Sequence, residues 1–233
     1  MKSTSFNQLL LLVAMVLCFT GFSCKNEPAA DAAATTEPAP ATGKGVLSIT
    51  SSADRTLADY DKIAAASTAS GQWAKDWSYH AIGAMQPKGI FSFGIYPSQA
   101  ALDNRRAYYK ELFPTLGIEM TAPVVHEIHN TIMGGQPAQK PAGGFVASFS
   151  TKGMTAENYD AVIKELEAAG VGAPAGRMYH VAYLTGDGIQ VIDVWESEAL
   201  FKVFGDKLMP ILQAKGVTSV PTMHPLYNSV VLN

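Results

Sequence analysis

The chain has 233 residues, 48% of them hydrophobic and 16% charged, with a formal net charge of −3 and a pI near 5.9. That composition is enough for a sizeable core, and without a run of Lys or Arg it argues against nucleic-acid or polybasic membrane binding. Both cysteines, Cys18 and Cys24, stand close to the start.

Lys2 precedes an apolar run from Leu9 to Phe19, "LLLLVAMVLCF", long enough for an export signal and short for a bilayer span. Residues 1–23 therefore read as a signal peptide. In "TGFSC" the small Ser23 precedes Cys24, the arrangement of a bacterial lipobox, in which the cysteine thiol is lipidated and becomes the new N-terminus. Gly21 departs from the Leu usual in such motifs, and ordinary cleavage leaving a free Cys24 is the competing reading. Bulky Leu17 makes Cys18 the poorer site. After cleavage at Cys24 no disulfide can form, so packing has to hold the fold. Residues 24–45 then serve as lipidated Cys and tether, since "KNEPAADAAATTEPAPATGKG" holds no aromatic or large aliphatic residue. The expected partner is the lipid bilayer through Cys24. Lys25 replaces the Asp that retains some lipoproteins at the inner membrane, which points to the outer membrane of the cell envelope.

From residue 46 the chain repeats itself. "VLSITSS" (46–52) matches "VASFSTK" (146–152), Tyr79-His80 returns 100 residues later as Tyr179-His180, and "GIFSFGIYPS" from Gly89 returns as "GIQVIDVWES" from Gly188. His126 and Asn130 match His224 and Asn228. Each copy reads strand, helix, strand, strand, helix, strand. Thr155, Ser98 and Ser197 sit where helix N-caps belong, and Gly170 ends the pattern Tyr159, Val162, Ile163, Leu166. Pro123 and Pro221 mark the start of each last strand. The repeats are assigned to 46–132 and 145–233, joined by a linker at 133–144, "MGGQPAQKPAGG".

A βαββαβ order gives a four-stranded sheet with both helices on one face, so the fold class is α+β: two fused ferredoxin-like repeats. Two such sheets can close against each other as a pseudo-dimeric α/β barrel. "GMTAENYDAVIKEL", "YHVAYLTGDGIQVIDVWES" and "FGDKLMPIL" resemble the dimeric α/β-barrel superfamily, which includes antibiotic-biosynthesis-type monooxygenases, and most closely its uncharacterised members. The resemblance is good over 145–230 and weaker over 46–130. It implies a barrel usually built by two chains and here by one, hence a monomer. It implies no single chemistry, because the superfamily spans oxygenases, haem-degrading enzymes and isomerases.

A Thr185–Gly188 turn pairs Leu184 with Ile189, Ala182 with Val191, His180 with Asp193 and Met178 with Trp195, all on one face. The other face, Tyr179, Val181, Tyr183, Ile192 and Val194, is more uniformly apolar and suits packing under helices. His180 and Asp193 are therefore expected to face the barrel interior. In the first copy His80 meets Gly94 and Ser78 meets Tyr96, so that half has a histidine without a carboxylate. One end of the barrel is then filled and charged and the other more open, an asymmetric pocket with His80, Tyr96, Met178 and Trp195 as ligand-binding candidates.

No HxxxH, CxxC or HxH motif supports a metal, and no cofactor is expected. The Asn, Trp and His constellation of the haem-degrading branch has no convincing counterpart. P-loops, GxGxxG fingerprints and serine elbows are absent. Trp73, Trp77, Tyr108, Tyr109 and Phe113 read as core, and "DNRRAYYK" as a helix with a solvated basic edge. Two functions remain open. In one, an anchored lipoprotein binds a small apolar or aromatic molecule in its cavity; in the other, His180, oriented by Asp193, acts as general base of a cofactor-independent monooxygenase or isomerase.

Overall fold

A threonine or serine starts each helix. The Thr56, Ser98, Thr155 and Ser197 side chains accept from the backbone N–H groups of Asp59, Ala101, Asn158 and Leu200, caps worth about 1 kcal/mol each. They open α1 (Leu57–Ala69), α2 (Gln99–Thr115), α3 (Ala156–Ala168) and α4 (Glu198–Ala214). The strands between them are β1 (Val46–Ser52), β2 (Tyr79–Ala84), β3 (Ile90–Tyr96), β4 (Val124–Met133), β5 (Phe145–Lys152), β6 (Arg177–Thr185), β7 (Gly188–Trp195) and β8 (Thr218–Val231). The structure, a computed structural model, describes residues 45–134 and 142–232. The expected signal peptide, Cys24, nearly all of the tether and most of the linker lie outside the described residues.

The strands close into an antiparallel barrel in the order β1-β3-β2-β8-β5-β7-β6-β4. The last strand of each repeat bridges to the other repeat, β4 to β6 and β8 to β2. No strand edge is left unpaired around the ring, which removes the template for further strand addition. Pro221 falls inside β8, opposite Phe149, rather than at its start.

The barrel interior is packed solid with apolar side chains from both repeats. Tyr79 stacks on Tyr179 at 3.8 Å, with planes 6° apart. Leu47, Phe93, Val146, Met178, Val181, Ile192 and Val194 complete this buried cluster. A second layer lies between each sheet and its helices. In the second repeat Tyr159, Val162 and Leu166 of α3 and Phe204 and Leu212 of α4 pack on Ala182, Ile189 and Trp195.

This arrangement reverses the expected faces. Tyr179, Val181, Ile192 and Val194 point into the barrel, and His180 and Asp193 lie on the helix side, with Tyr159 of α3 beside them. Period-two alternation separates two faces without saying which is enclosed. The interior, closed by two sheets, is lined mainly by apolar and aromatic side chains, so the more uniformly apolar face belongs there. The expected pairing of Met178 with Trp195 also fails. The register shifts between Arg177 and Tyr179, Arg177 stands opposite Trp195, and Met178 turns into the interior.

The β6–β7 turn centres on Gly186 and Asp187, and the positive φ of 111° falls on Gly188. A Cβ there would stand 2.5 Å from the Met154 carbonyl oxygen, which accepts from the N–H of Ile189. We expect Gly188→Ala to cost about 1–3 kcal/mol in denaturant unfolding. Gly186→Ala, with open space around it, should change stability by less than about 1 kcal/mol.

Candidate functional sites under the helices

The β6–β7 hairpin sets His180 opposite Asp193, and α3 lays Tyr159 across them. His180 is 4% exposed and Asp193 3%. His180 Nδ1 donates to Asp193 Oδ1 at 2.7 Å. A carboxylate can only accept, so the ring proton sits on Nδ1 and Nε2 keeps its lone pair. Nε2 accepts from the Tyr159 hydroxyl at 2.7 Å, and the Tyr159 oxygen accepts from Asn130 Nδ2 at 3.0 Å. Burial lowers the His180 pKa against the opposing pull of Asp193, so the imidazole is neutral at pH 7. Burial raises the Tyr159 hydroxyl. Arg177, 4% exposed, donates to the Gly172 carbonyl at 2.7 Å and lies 5.6 Å from the Phe204 ring centre. Its charge and that of Asp193 act on each other. Between them remains a cavity of about 50 Å³. The network is closed, for the basic nitrogen of His180 already holds a proton donor.

The first repeat builds the same frame differently. His80 stands opposite Gly94, and the Tyr96 ring covers the glycine, where a Cβ would come within 3.0 Å of its Cε2. His80 stacks on Trp77 at 4.6 Å and on Tyr60 at 5.8 Å, with the Trp73 ring edge-on at 6.2 Å. Burial pushes its pKa down to about 4, opposed by the Phe93 backbone. His80 Nε2 and Trp77 Nε1 are buried with no hydrogen-bond partner among the described residues. The Tyr60 hydroxyl accepts from Asn228 Nδ2 at 3.1 Å, the counterpart of Asn130 on Tyr159. Asn130 lies on β4 and Asn228 on β8, so each site draws its asparagine from the other repeat.

Over this stack α2 brings Arg105, 1% exposed. Its guanidinium lies 4.5 Å from the Trp77 ring centre, and Nη2 donates to the carbonyls of Trp73, at 3.3 Å, and Lys75. The cavity there, partly open to solvent past Arg106 and Met120, measures about 100 Å³. It lies under the helices and not between the sheets. His80 and Tyr96 line it, whereas Met178 and Trp195 line neither cavity. Trp73, Trp77, Tyr109 and Phe113, read from the sequence as core, also line it. The basic edge expected of "DNRRAYYK" is wrong for Arg105, which is buried while Arg106 is exposed. Two adjacent arginines are indistinguishable in the sequence. The signal that separates them is the helical stripe Leu102, Arg105, Tyr109, Phe113.

No protein-family model matches the sequence, and no curated protein matches it significantly. Solved structures do match. A candidate monooxygenase of Fusobacterium nucleatum subsp. nucleatum has a TM-score of 0.60 at 10% identity, over 82% of this chain and 95% of that chain. A candidate monooxygenase of Lactobacillus acidophilus has a TM-score of 0.54 at 13% identity, over 82% and 100%. An alignment of that extent spans both repeats. The chain has the dimeric α/β-barrel fold. Identities this low carry the fold and leave the chemistry to the residues of this fused barrel.

Two buried neutral histidines make the fused barrel sensitive to acid. A histidine whose folded pKa lies below the unfolded value of about 6.5 binds fewer protons folded than unfolded between the two. Its contribution is then complete above about pH 6.5 and is lost as pH falls toward the folded pKa. For His80, with a folded pKa of about 4, the loss is on the order of 3 kcal/mol by pH 4. Thermal melts between pH 7.5 and 4 should show Tm falling, and His80→Asn should flatten that slope whatever it does to Tm at pH 7.5.

Proposed function

We propose that the fused barrel is a lipid-anchored binding protein of the cell envelope that holds a small aromatic molecule in the cavity of its first repeat, without a bound cofactor. The observation that carries this is an aromatic-walled cavity of about 100 Å³, two of whose lining residues, His80 and Trp77, each hold a buried ring nitrogen without a hydrogen-bond partner among the described residues. An unsatisfied buried polar atom costs about 1–3 kcal/mol, so a guest that pairs with it is favoured. An apolar cavity of about 150 Å³ takes benzene, whereas drug-sized ligands occupy roughly 300 Å³ or more. At about 100 Å³ the first-repeat cavity lies below both sizes, so its guest is no larger than a single ring. Among the described residues no helix is long and apolar enough to cross a membrane, so attachment falls to Cys24. A closed barrel without free edges supports a monomer.

A second reading, proton abstraction by His180 in a cofactor-independent oxygenation or isomerisation, has one observation in its favour. Asp193 holds the neutral tautomer that a base requires. It needs Tyr159 to release Nε2 first, and the cavity there is about half the size of the other. The binding reading asks for no such rearrangement.

Trp73 and Trp77 line the cavity, so ligand entry reports on itself. Titration with phenol or toluene should change tryptophan fluorescence and raise Tm, and Trp73→Leu should weaken binding about tenfold, the effect of one lost aromatic contact of about 1.4 kcal/mol. Failure of every single-ring probe to alter either signal would remove this function. For the anchor, Cys24→Ser should move the protein from the membrane fraction to the soluble fraction; continued membrane sedimentation would mean that lipid at Cys24 does not hold it.

A further inference from the structure

The two repeats place their buried cations in related but inverted ways. Arg105 on α2 corresponds to Phe204 on α4, each 99 residues from the other, and Trp77 before β2 corresponds to Arg177 at the start of β6, 100 residues on. Each repeat therefore stacks one arginine on one aromatic ring: Arg105 over Trp77 at 4.5 Å, and Arg177 over Phe204 at 5.6 Å. Helix and strand have exchanged roles. The anion has not followed. Arg177 is offset by Asp193, but the matching position in the first repeat is Gly94, which has no side chain to offset Arg105.

Arg105 is 1% exposed, and a buried charge without a counter-charge is strongly disfavoured. Its Nη2 is engaged by the carbonyls of Trp73 and Lys75. The one N–H of Nε and the two of Nη1 have no acceptor among the described residues. Tyr109 lies beside it, its ring centre 5.3 Å away, and its hydroxyl is near enough to act on the guanidinium, but a neutral phenol supplies no counter-charge. Arg55, on the same cavity, also leaves Nε buried without a partner, though Asp59 lies near enough to act on its charge. No aspartate or glutamate lines the cavity, and the hydroxyls of Ser48, Thr50 and Ser92 do.

We infer that the ligand of the first repeat is an aromatic carboxylate, whose ring lies against the wall formed by Tyr60, Trp73 and Trp77 and whose anionic group accepts from Arg105, supplying the counter-charge that this repeat lacks. The inference rests on the binding reading above and specifies its ligand. A charged hydrogen bond contributes about 1.5–3 kcal/mol, or about ten- to a hundredfold in affinity, and that factor should separate a carboxylate from its neutral isostere.

The test compares benzoate with benzamide at pH 7 on the full-length protein, read by tryptophan fluorescence and by calorimetry. Benzoate should bind at least about tenfold more tightly than benzamide, and Arg105→Met should remove that preference, lowering benzoate affinity by at least about tenfold more than it lowers benzamide affinity. If benzamide binds the unaltered protein as well as benzoate does, the anionic ligand is refuted while the aromatic cavity stands. If neither binds while phenol or toluene does, the carboxylate ligand is refuted and the aromatic cavity stands; if no single-ring probe binds, both readings fall. Full retention of the benzoate preference in folded Arg105→Met would also refute the role given to Arg105. Should that variant not fold, the ratio on the unaltered protein decides the question alone.

Discussion

The pairing of each repeat's last strand with the other repeat is the constraint on which the rest of this molecule depends. β4 against β6 and β8 against β2 close the ring, and closure creates a space that only apolar side chains can fill. Tyr79 and Tyr179, one from each repeat, stack at its centre. With the middle of that interior committed to packing, His80, His180 and Asp193 are turned to the other face, where helices supply their surroundings, while His126 and His224 keep to the interior face against Tyr183 and Phe91. The same strand exchange carries Asn130 and Asn228 across to the tyrosine of the opposite repeat. Neither site could therefore be assembled by one repeat on its own.

The helix-side layer is where two copies of one pattern diverge. Both keep an asparagine, a tyrosine and a histidine in the same relation. In the second repeat Asp193 and Arg177 complete the set, and each member of the line from Asn130 to Asp193 is hydrogen-bonded to the next. In the first, glycine replaces the carboxylate, and the histidine lies flat against the Trp77 indole as well as against the tyrosine ring that both repeats place beside it. Buried polar atoms without partners are uncommon in folded proteins, and here His80 Nε2, Trp77 Nε1 and two nitrogens of Arg105 lack them among the described residues, all on side chains that line one cavity. The second repeat leaves Trp195 Nε1 in that state and pairs the line from Asn130 to Asp193 within itself.

Local features of this architecture were legible and non-local ones were not. The pairing of His180 with Asp193 follows from a turn of two residues, because hairpin register is set by the turn that closes it. The βαββαβ order follows from periodicity and caps. The bulge that separates Met178 from Trp195 left no mark in the residue types. Tyr159, 21 residues from His180, is recognisable only once α3 is laid on the sheet, and before that it reads as one more apolar position of a helix. Arg105 and Arg106 carry identical chemistry and adjacent numbers, and only their phase on the helix, which puts Arg105 on the stripe of Leu102, Tyr109 and Phe113, separates the buried one from the solvated one.

The amino-acid sequence by itself determined the duplication, the element order, the cross-strand partner of His180 and the absence of a carboxylate opposite His80. These are properties of short stretches, set by turn chemistry, capping and alternation. Which face of each sheet is enclosed, and therefore where the cavities lie, was decided by tertiary structure. Alternation of apolar and polar residues divides a strand into two sides, and only closing one sheet on another determines which side water can never reach.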